Sequence, residues 1–240
     1  MGWLKKAFKK VKNTVKKIVR AIKDITVKLG GIVDQFGSLI GIRPKKYLRL
    51  YIIILKESGK EVADKNDVAD WYIETKRILK ERCNIEVSSP TKLVMAVTIA
   101  DGDAPAYALD VTCNFGAGFG EDADYFESLL SYDRASRGSV IPDLLGYGEP
   151  LYVIVTKSFS TGEDGCSIPF FNNYIVLAAN AKDKTMVHEI GHVAWLRDRY
   201  DQNDKPNVMY KKASRGDELT NYQISSLRNN RYVVYIPRSG

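Results

Sequence analysis

Histidine occurs only twice in the 240 residues, and cysteine three times, at Cys83, Cys113 and Cys166. Three cysteines are too few and too scattered for a disulfide framework or a cysteine-ligated zinc module. One pair is still free to bridge in an oxidising compartment, and the sequence does not choose it. Long apolar runs are also missing: no stretch reaches the roughly 18 uncharged apolar residues of a membrane-spanning helix. Lysines interrupt the N-terminal region wherever the apolar core of a secretory signal, about 7 to 15 residues, would lie. The expectation is therefore a protein secreted or delivered without a cleavable signal, with membrane association left open. Acidic residues are scarce at one end only: residues 1–46 hold 13 Lys or Arg against Asp24 and Asp34, a local +11, and the overall +7 leaves −4 for the rest.

That asymmetry divides the chain into a cationic amphipathic segment, residues 1–45, and an ordinary, mildly acidic domain, residues 46–240. In the segment Leu4, Phe8, Val11, Val15, Ile18, Ile22, Ile25 and Leu29 alternate at spacings of four and three, one apolar stripe on a helix with lysines opposite. After Gly30 and Gly31 the spacing resumes with Ile32, Phe36 and Leu39, predicting a second short helix or a bent continuation. Identical copies would repel across such a seam, so self-association is the weaker reading. A basic amphipathic helix with Trp3 near its end suits an anionic membrane interface or an acidic protein partner. No aromatic stacking series accompanies the lysines, so nucleic acid is not the expected partner. The segment resembles a cationic antimicrobial peptide or leaderless bacteriocin.

Beyond Lys46 the periodicity changes. "YLRLYIIIL" reads as a buried strand, followed by a helix over "NDVADWYIETKRILKERC" with Asn66 as its N-cap. "NIEVSS", "KLVMAVTIA" and "YALDVTC" predict strands, then a glycine-rich loop and a helix near "DADYFESLLSYDRA". "LYVIVTKSF" and "NYIVLAAN" predict two more strands joined by the loop "STGEDGCSIPFFN". Asp183 is placed to cap the helix "AKDKTMVHEIGHVAWL", and Thr220 with Gln223 forms a capping-box pattern for a last helix. The fold class is α+β in one domain.

Both histidines fall in "TMVHEIGHVAWLRDRY", four apart, with a glutamate after the first. On a helix that spacing stacks His188 and His192 on one face, where one Zn²⁺ with bonds of about 2.0 to 2.1 Å is within reach of both. Glu189 follows the first by about 100° of helix turn, so its carboxylate sits beside the water such a metal activates, as a general base. Catalytic zinc takes a third protein ligand. Without one, two histidines on a core-facing helix are the plain alternative.

"HEIGHVAWLRD" resembles the metzincin zinc-endopeptidase signature HExxHxxGxxH/D, "NVMY" resembles that superfamily's Met-turn, and "LTNYQISSLRNNRYV" is similar to the C-terminal helix of its matrixin-like members. The resemblance implies a twisted mixed sheet, a zinc-site helix, a Met-turn and a C-terminal helix. It implies His188, His192 and Asp198 as zinc ligands, Glu189 as general base, Met209 beneath the metal, and a protein or peptide substrate. Asp201 and Glu218 remain alternatives for the third ligand, and Tyr210 is expected to pack rather than ligate. The family's substrate pairs along a sheet edge, here Gly165 to Phe170. One departure stands out: Trp195 occupies the place of the glycine that ends the helix, where a left-handed residue costs roughly 1 to 2 kcal/mol. The functional expectation is a zinc endopeptidase, a toxin or delivered effector; the alternative is a membrane-active or scaffold protein with an inactive domain of this kind.

Overall fold

The computed structural model describes residues 37–38, 40–88, 97–113, 121–136, 150–167 and 173–235. The amphipathic stripe and most of the second predicted helix lie outside them, as does the glycine-rich loop. "YLRLYIIIL" lies within β1 (Lys46–Glu57), the spine of the mixed sheet. β3 (Ile85–Ser88) and β4 (Val97–Asp103) pair with it in parallel, β2 (Lys60–Glu61) closes a hairpin on its end, and β6 (Leu151–Thr156) runs parallel along its second half. Beyond β6 come β9 (Tyr174–Ala178), parallel, and the short β8 (Gly165–Ser167), antiparallel. β10 (Val233–Val234) returns antiparallel beside the start of β1.

Successive side chains of a strand point to opposite faces, and β1 carries apolar residues on both. Leu48, Leu50, Ile52 and Ile54 face a core shared with α1 (Lys65–Cys83), α4 (Thr185–Val193) and α5 (Asn221–Arg228). Tyr51, Ile53 and Leu55 face a second core, covered by α2 (Ala106–Leu109) and α3 (Glu121–Ser136). The domain is thus three-layered, with α4 carried on the first face.

Several expectations are corrected. "YALDVTC" is not one strand: α2 occupies its start and the two-residue β5 (Asp110–Val111) follows, paired with β7 (Ser158–Phe159). The buried Thr156 hydroxyl lies 2.6 Å from the Ala108 carbonyl and 3.0 Å from that of Leu109, supplying a donor for the carbonyls at the end of α2. α1 is capped by Asp64, whose carboxylate accepts from the Asn66 amide at 2.7 Å, not by Asn66. The N-cap of α4 is Lys184, with no side-chain cap bond, rather than Asp183; the Thr185 amide bonds the Lys182 carbonyl at 2.8 Å. The capping box of Thr220 and Gln223 on α5 is present as read.

α5 is bolted to the rest by a buried cation. Arg228 donates to the Ser38 hydroxyl at 2.9 Å and to the Cys83 and Pro44 carbonyls, both at 2.7 Å. Arg43 in turn donates to Asn221 at 2.8 Å. Ser38, Arg43 and Pro44 of the basic segment are therefore bonded to the domain.

Candidate functional site

α4 ends one residue after His192, and its ending builds the site. The Trp195 amide bonds the His192 carbonyl at 2.8 Å and the Leu196 amide bonds the Gly191 carbonyl at 3.1 Å. This pair of bonds is the Schellman arrangement, which puts the residue after the cap in the left-handed region. Trp195 has φ of +69°, so the bulky residue takes the conformation that glycine usually supplies. The chain then doubles back, and Asp198 comes to the histidines.

The Asp198 Oδ1 lies 3.2 Å from His188 Nε2 and 3.3 Å from His192 Nε2, while the two Nε2 atoms are 3.1 Å apart. A tetrahedral ion with bonds of about 2.0 to 2.1 Å holds its ligand atoms about 3.3 to 3.4 Å apart, so this triangle fits one face of such a tetrahedron. The imidazole tautomers follow from the other nitrogens. His188 Nδ1 is 2.9 Å from the Val208 carbonyl and His192 Nδ1 is 2.8 Å from the Leu196 carbonyl. A carbonyl only accepts, so each Nδ1 carries the hydrogen and each Nε2 presents a lone pair. Two imidazole lone pairs and a buried carboxylate oxygen that accepts no well-formed hydrogen bond among the described residues thus converge on one point. Only a cation or a proton satisfies all three.

The protonation preferences reflect that demand. Burial pulls the His192 imidazole down, but the Asp198 contact and the Glu189 charge outweigh it and raise its pKa above the ordinary value. Burial likewise pushes the Asp198 carboxyl up, yet its contacts with His188 and His192 hold it well below the usual carboxylate range.

Glu189 is buried and belongs to the same cluster, its carboxylate and the two imidazoles offering ligand atoms within 4.8 Å of one another. It packs against the edge strand: a Cβ added to Gly165 would meet Glu189 Cγ at 2.9 Å and Oε1 at 3.0 Å. β8 is the outermost strand at this end of the sheet among the described residues, and residues 168–170 of the predicted substrate edge lie outside them. Beside it opens a cleft of about 800 Å³, lined by β8, the His188–His192–Asp198 cluster, Glu189 and Arg215.

Met209 lies fully buried beneath α4, and a Cβ on Gly191 would stand only 2.3 Å from its sulfur. The helix thus rests on the methionine at the residue before His192. The alternatives for a third ligand are placed elsewhere. The Asp201 carboxylate accepts from the Asn203 amide at 2.9 Å, and Glu218 is exposed, its backbone paired with Pro206 and Val208. Tyr210 is buried, away from the cleft lining.

Two features of the site escaped sequence reasoning. Cys113 and Cys166 form a disulfide across 53 residues, tying β8 to the segment after β5, while Cys83 is a buried free thiol pushed up to about 12 by burial. No local spacing rule joins cysteines so far apart. Arg215 carries no motif, and only its place after the methionine turn hints at the cleft.

No known family's sequence pattern matches the chain, and no curated protein matches it in sequence. Among solved structures, it is similar to metalloproteinase-II from Bacteroides fragilis, with 15% identity, 75% of this chain covered and a TM-score of 0.46. The chain spans about half the length of that protein, 50% of which is covered.

Proposed function

We propose that this chain is a zinc-dependent endopeptidase of the matrixin-like metzincin type, acting on a protein or peptide substrate. The observation that carries the reading is the convergence of His188 Nε2, His192 Nε2 and Asp198 Oδ1 at 3.1 to 3.3 Å beside the Glu189 carboxylate. Two nitrogens and one carboxylate oxygen suit zinc, and three protein ligands leave a position open for reactants. A zinc ion held there supplies Lewis acidity, which acidifies water and polarises a peptide carbonyl. The remaining chemistry belongs to the chain. Glu189 takes a proton from the attacking water and passes it to the departing amine, so the carboxylate ends as it began. The outer edge of β8, unpaired among the described residues, orients the substrate by accepting it as an added strand. Met209 supports the helix from below, and Trp195 sets the turn that delivers Asp198.

Two measurements test this reading. Metal content per chain is expected near one zinc in both wild type and Glu189→Ala, with cleavage of a denatured protein only by wild type. Zinc without cleavage in either would favour a structural site in a scaffold protein. Absence of zinc from both would return the histidines to a packing role.

Residues 1–45 are assigned, in the same proposal, to an anionic membrane or an acidic partner, making the whole a toxin or delivered effector. The support is the apolar stripe and the +10 charge of these residues, 12 Lys or Arg against Asp24 and Asp34, together with a disulfide that suits an oxidising compartment. Because Ser38, Arg43 and Pro44 bond the domain, the deletion that isolates this role removes residues 1–36. It is expected to abolish binding to anionic liposomes and leave peptide cleavage intact.

A further inference from the structure

Arg215 is a buried cation in the wall of the cleft, only 7% exposed. Its Nε donates to the Tyr210 carbonyl at 3.1 Å and one terminal nitrogen to the Lys211 carbonyl at 3.1 Å. The other terminal nitrogen has, among the described residues, only the Thr185 hydroxyl, at a long 3.5 Å. No carboxylate among the described residues lies within ion-pair distance of it. Buried arginines normally lie against an anion, since desolvating a charge is otherwise costly. Here burial pulls the guanidinium below its ordinary pKa, with only the more distant charges of Glu189, Asp164 and Asp198 opposing that pull.

The two carbonyls hold the guanidinium plane and leave its third corner at Thr185. Thr185 precedes Glu189 by four residues of α4, about 6 Å along the axis. A group bound at that corner therefore belongs to a substrate residue neighbouring the bond that Glu189 serves. A planar, fork-shaped donor matches a carboxylate, with two parallel N–H bonds.

We infer that Arg215 is a specificity-determining residue that recognises a substrate carboxylate next to the scissile bond. The inference rests on the endopeptidase reading for its catalytic consequence. The recognition itself is a binding event that is measurable without turnover.

The test therefore has two readouts. In the first, zinc-loaded wild type, Arg215→Met and Arg215→Lys digest a proteome-derived peptide library, with cleavage sites read by mass spectrometry. Wild type is expected to enrich Asp or Glu beside the cut. Losing a charge-assisted pair lowers the preference for Glu over Gln by about 10- to 100-fold in Arg215→Met, and Arg215→Lys retains part of it. Cleavage with neither acidic enrichment nor a free C-terminus beside the cut overturns the inference and leaves the peptidase reading standing.

In the second readout, N-acetylglutamate amide, N-acetylglutamine amide and N-acetylleucine are titrated into the zinc-loaded proteins and followed by NMR. Tighter binding of the glutamate amide than the glutamine amide in wild type, abolished in Arg215→Met, supports a side-chain carboxylate even if no peptide is cut. A preference for N-acetylleucine, also abolished in Arg215→Met, assigns the carboxylate to a chain terminus. Equal binding of all three, or a preference that survives Arg215→Met, overturns the inference. The ratio between ligands separates recognition from a structural role, because a loosened fold weakens all of them together.

Discussion

Replacing Gly191 by alanine drives a methyl group into the Met209 side chain, 2.3 Å from its sulfur and 3.1 Å from the terminal methyl. In an isolated helix the exchange would help, since glycine is about 1 kcal/mol worse than alanine in a helix interior. Against a packed sulfur, one of the two must move by about an ångström, and overpacking of this kind costs about 1 to 3 kcal/mol. The net expectation for Gly191→Ala is neutral to about 2 kcal/mol destabilising. Met209→Ala alone empties a fully buried site and costs about 2 to 5 kcal/mol. In that emptied background the clash is gone, so adding Gly191→Ala should stabilise by about 1 kcal/mol. The sign of one substitution is thus predicted to reverse with its partner, a coupling of about 1 to 3 kcal/mol. Urea unfolding of the four proteins measures it. Effects that add to within about 0.5 kcal/mol would refute the contact, since residues that do not touch behave that way. Zinc affinity followed across the same four proteins should track the pattern, because the clash lies between the two histidine turns.

Zinc must displace a proton from a chain whose His192 pKa is raised, so zinc affinity should begin to fall above pH 6.5 on acidification, by about tenfold per pH unit per proton. In the metal-free chain the sign is opposite: this raised pKa contributes stability that is present at low pH and lost as pH rises through the folded value. Competition with a calibrated chelator across pH 5 to 8, about the range over which histidine titrates, checks the first, and thermal unfolding checks the second. Replacing Cys113 and Cys166 by serine frees a loop with a sequence separation of 53 and should cost up to about 4 kcal/mol on the chain-entropy account. Limited proteolysis should then attack β8 first. Asp217 bridges Arg77 and Arg82, each at 3.0 Å; burial opposes ionisation, but these bonds lower its pKa. Its contribution is present above about pH 4, the unfolded value, and is lost as pH falls through the lower folded value. Asp217→Asn should therefore cost about 1 kcal/mol at neutral pH, after allowance for partial exposure, and little in strong acid by denaturant titration.

Where periodicity and short-range hydrogen bonding decide the outcome, the sequence was sufficient. Alternation along β1 divides Leu48, Leu50 and Ile52 from Tyr51 and Ile53, and the Thr220 capping box is a contact across three residues. Where a tertiary partner decides, it was not. "YALDVTC" has a strand's composition, yet its first half is a helix whose last carbonyls meet the distant Thr156 hydroxyl. β8 is three residues in an apparent loop, fixed as a strand by pairing with β9. For the candidate site, HExxH spacing was enough to put His188 and His192 together, because a helix repeats locally. Bringing Asp198 to them depends on Trp195 taking a conformation its side chain disfavours, and composition alone argued against that. Arg215 was invisible because its significance lies in its burial without a carboxylate beside it among the described residues.

The hydrogen bonds behind the two histidines have a consequence for how a metal would come and go. His192 is tethered to Leu196 and His188 to Val208, so the imidazoles grip opposite ends of one stretch of chain, and Asp198 lies on that stretch. The backbone is clipped into its loop by the rings themselves, independently of whatever their outward nitrogens hold. Loading and stripping should consequently resemble the changing of a bulb in a fixed socket. The amide protons of Leu196, Arg199, Asn207 and Val208, each bonded to a backbone carbonyl, should stay protected from exchange in the stripped protein, and ion exchange should proceed at the pace of ligand release, without waiting for the chain to unfold.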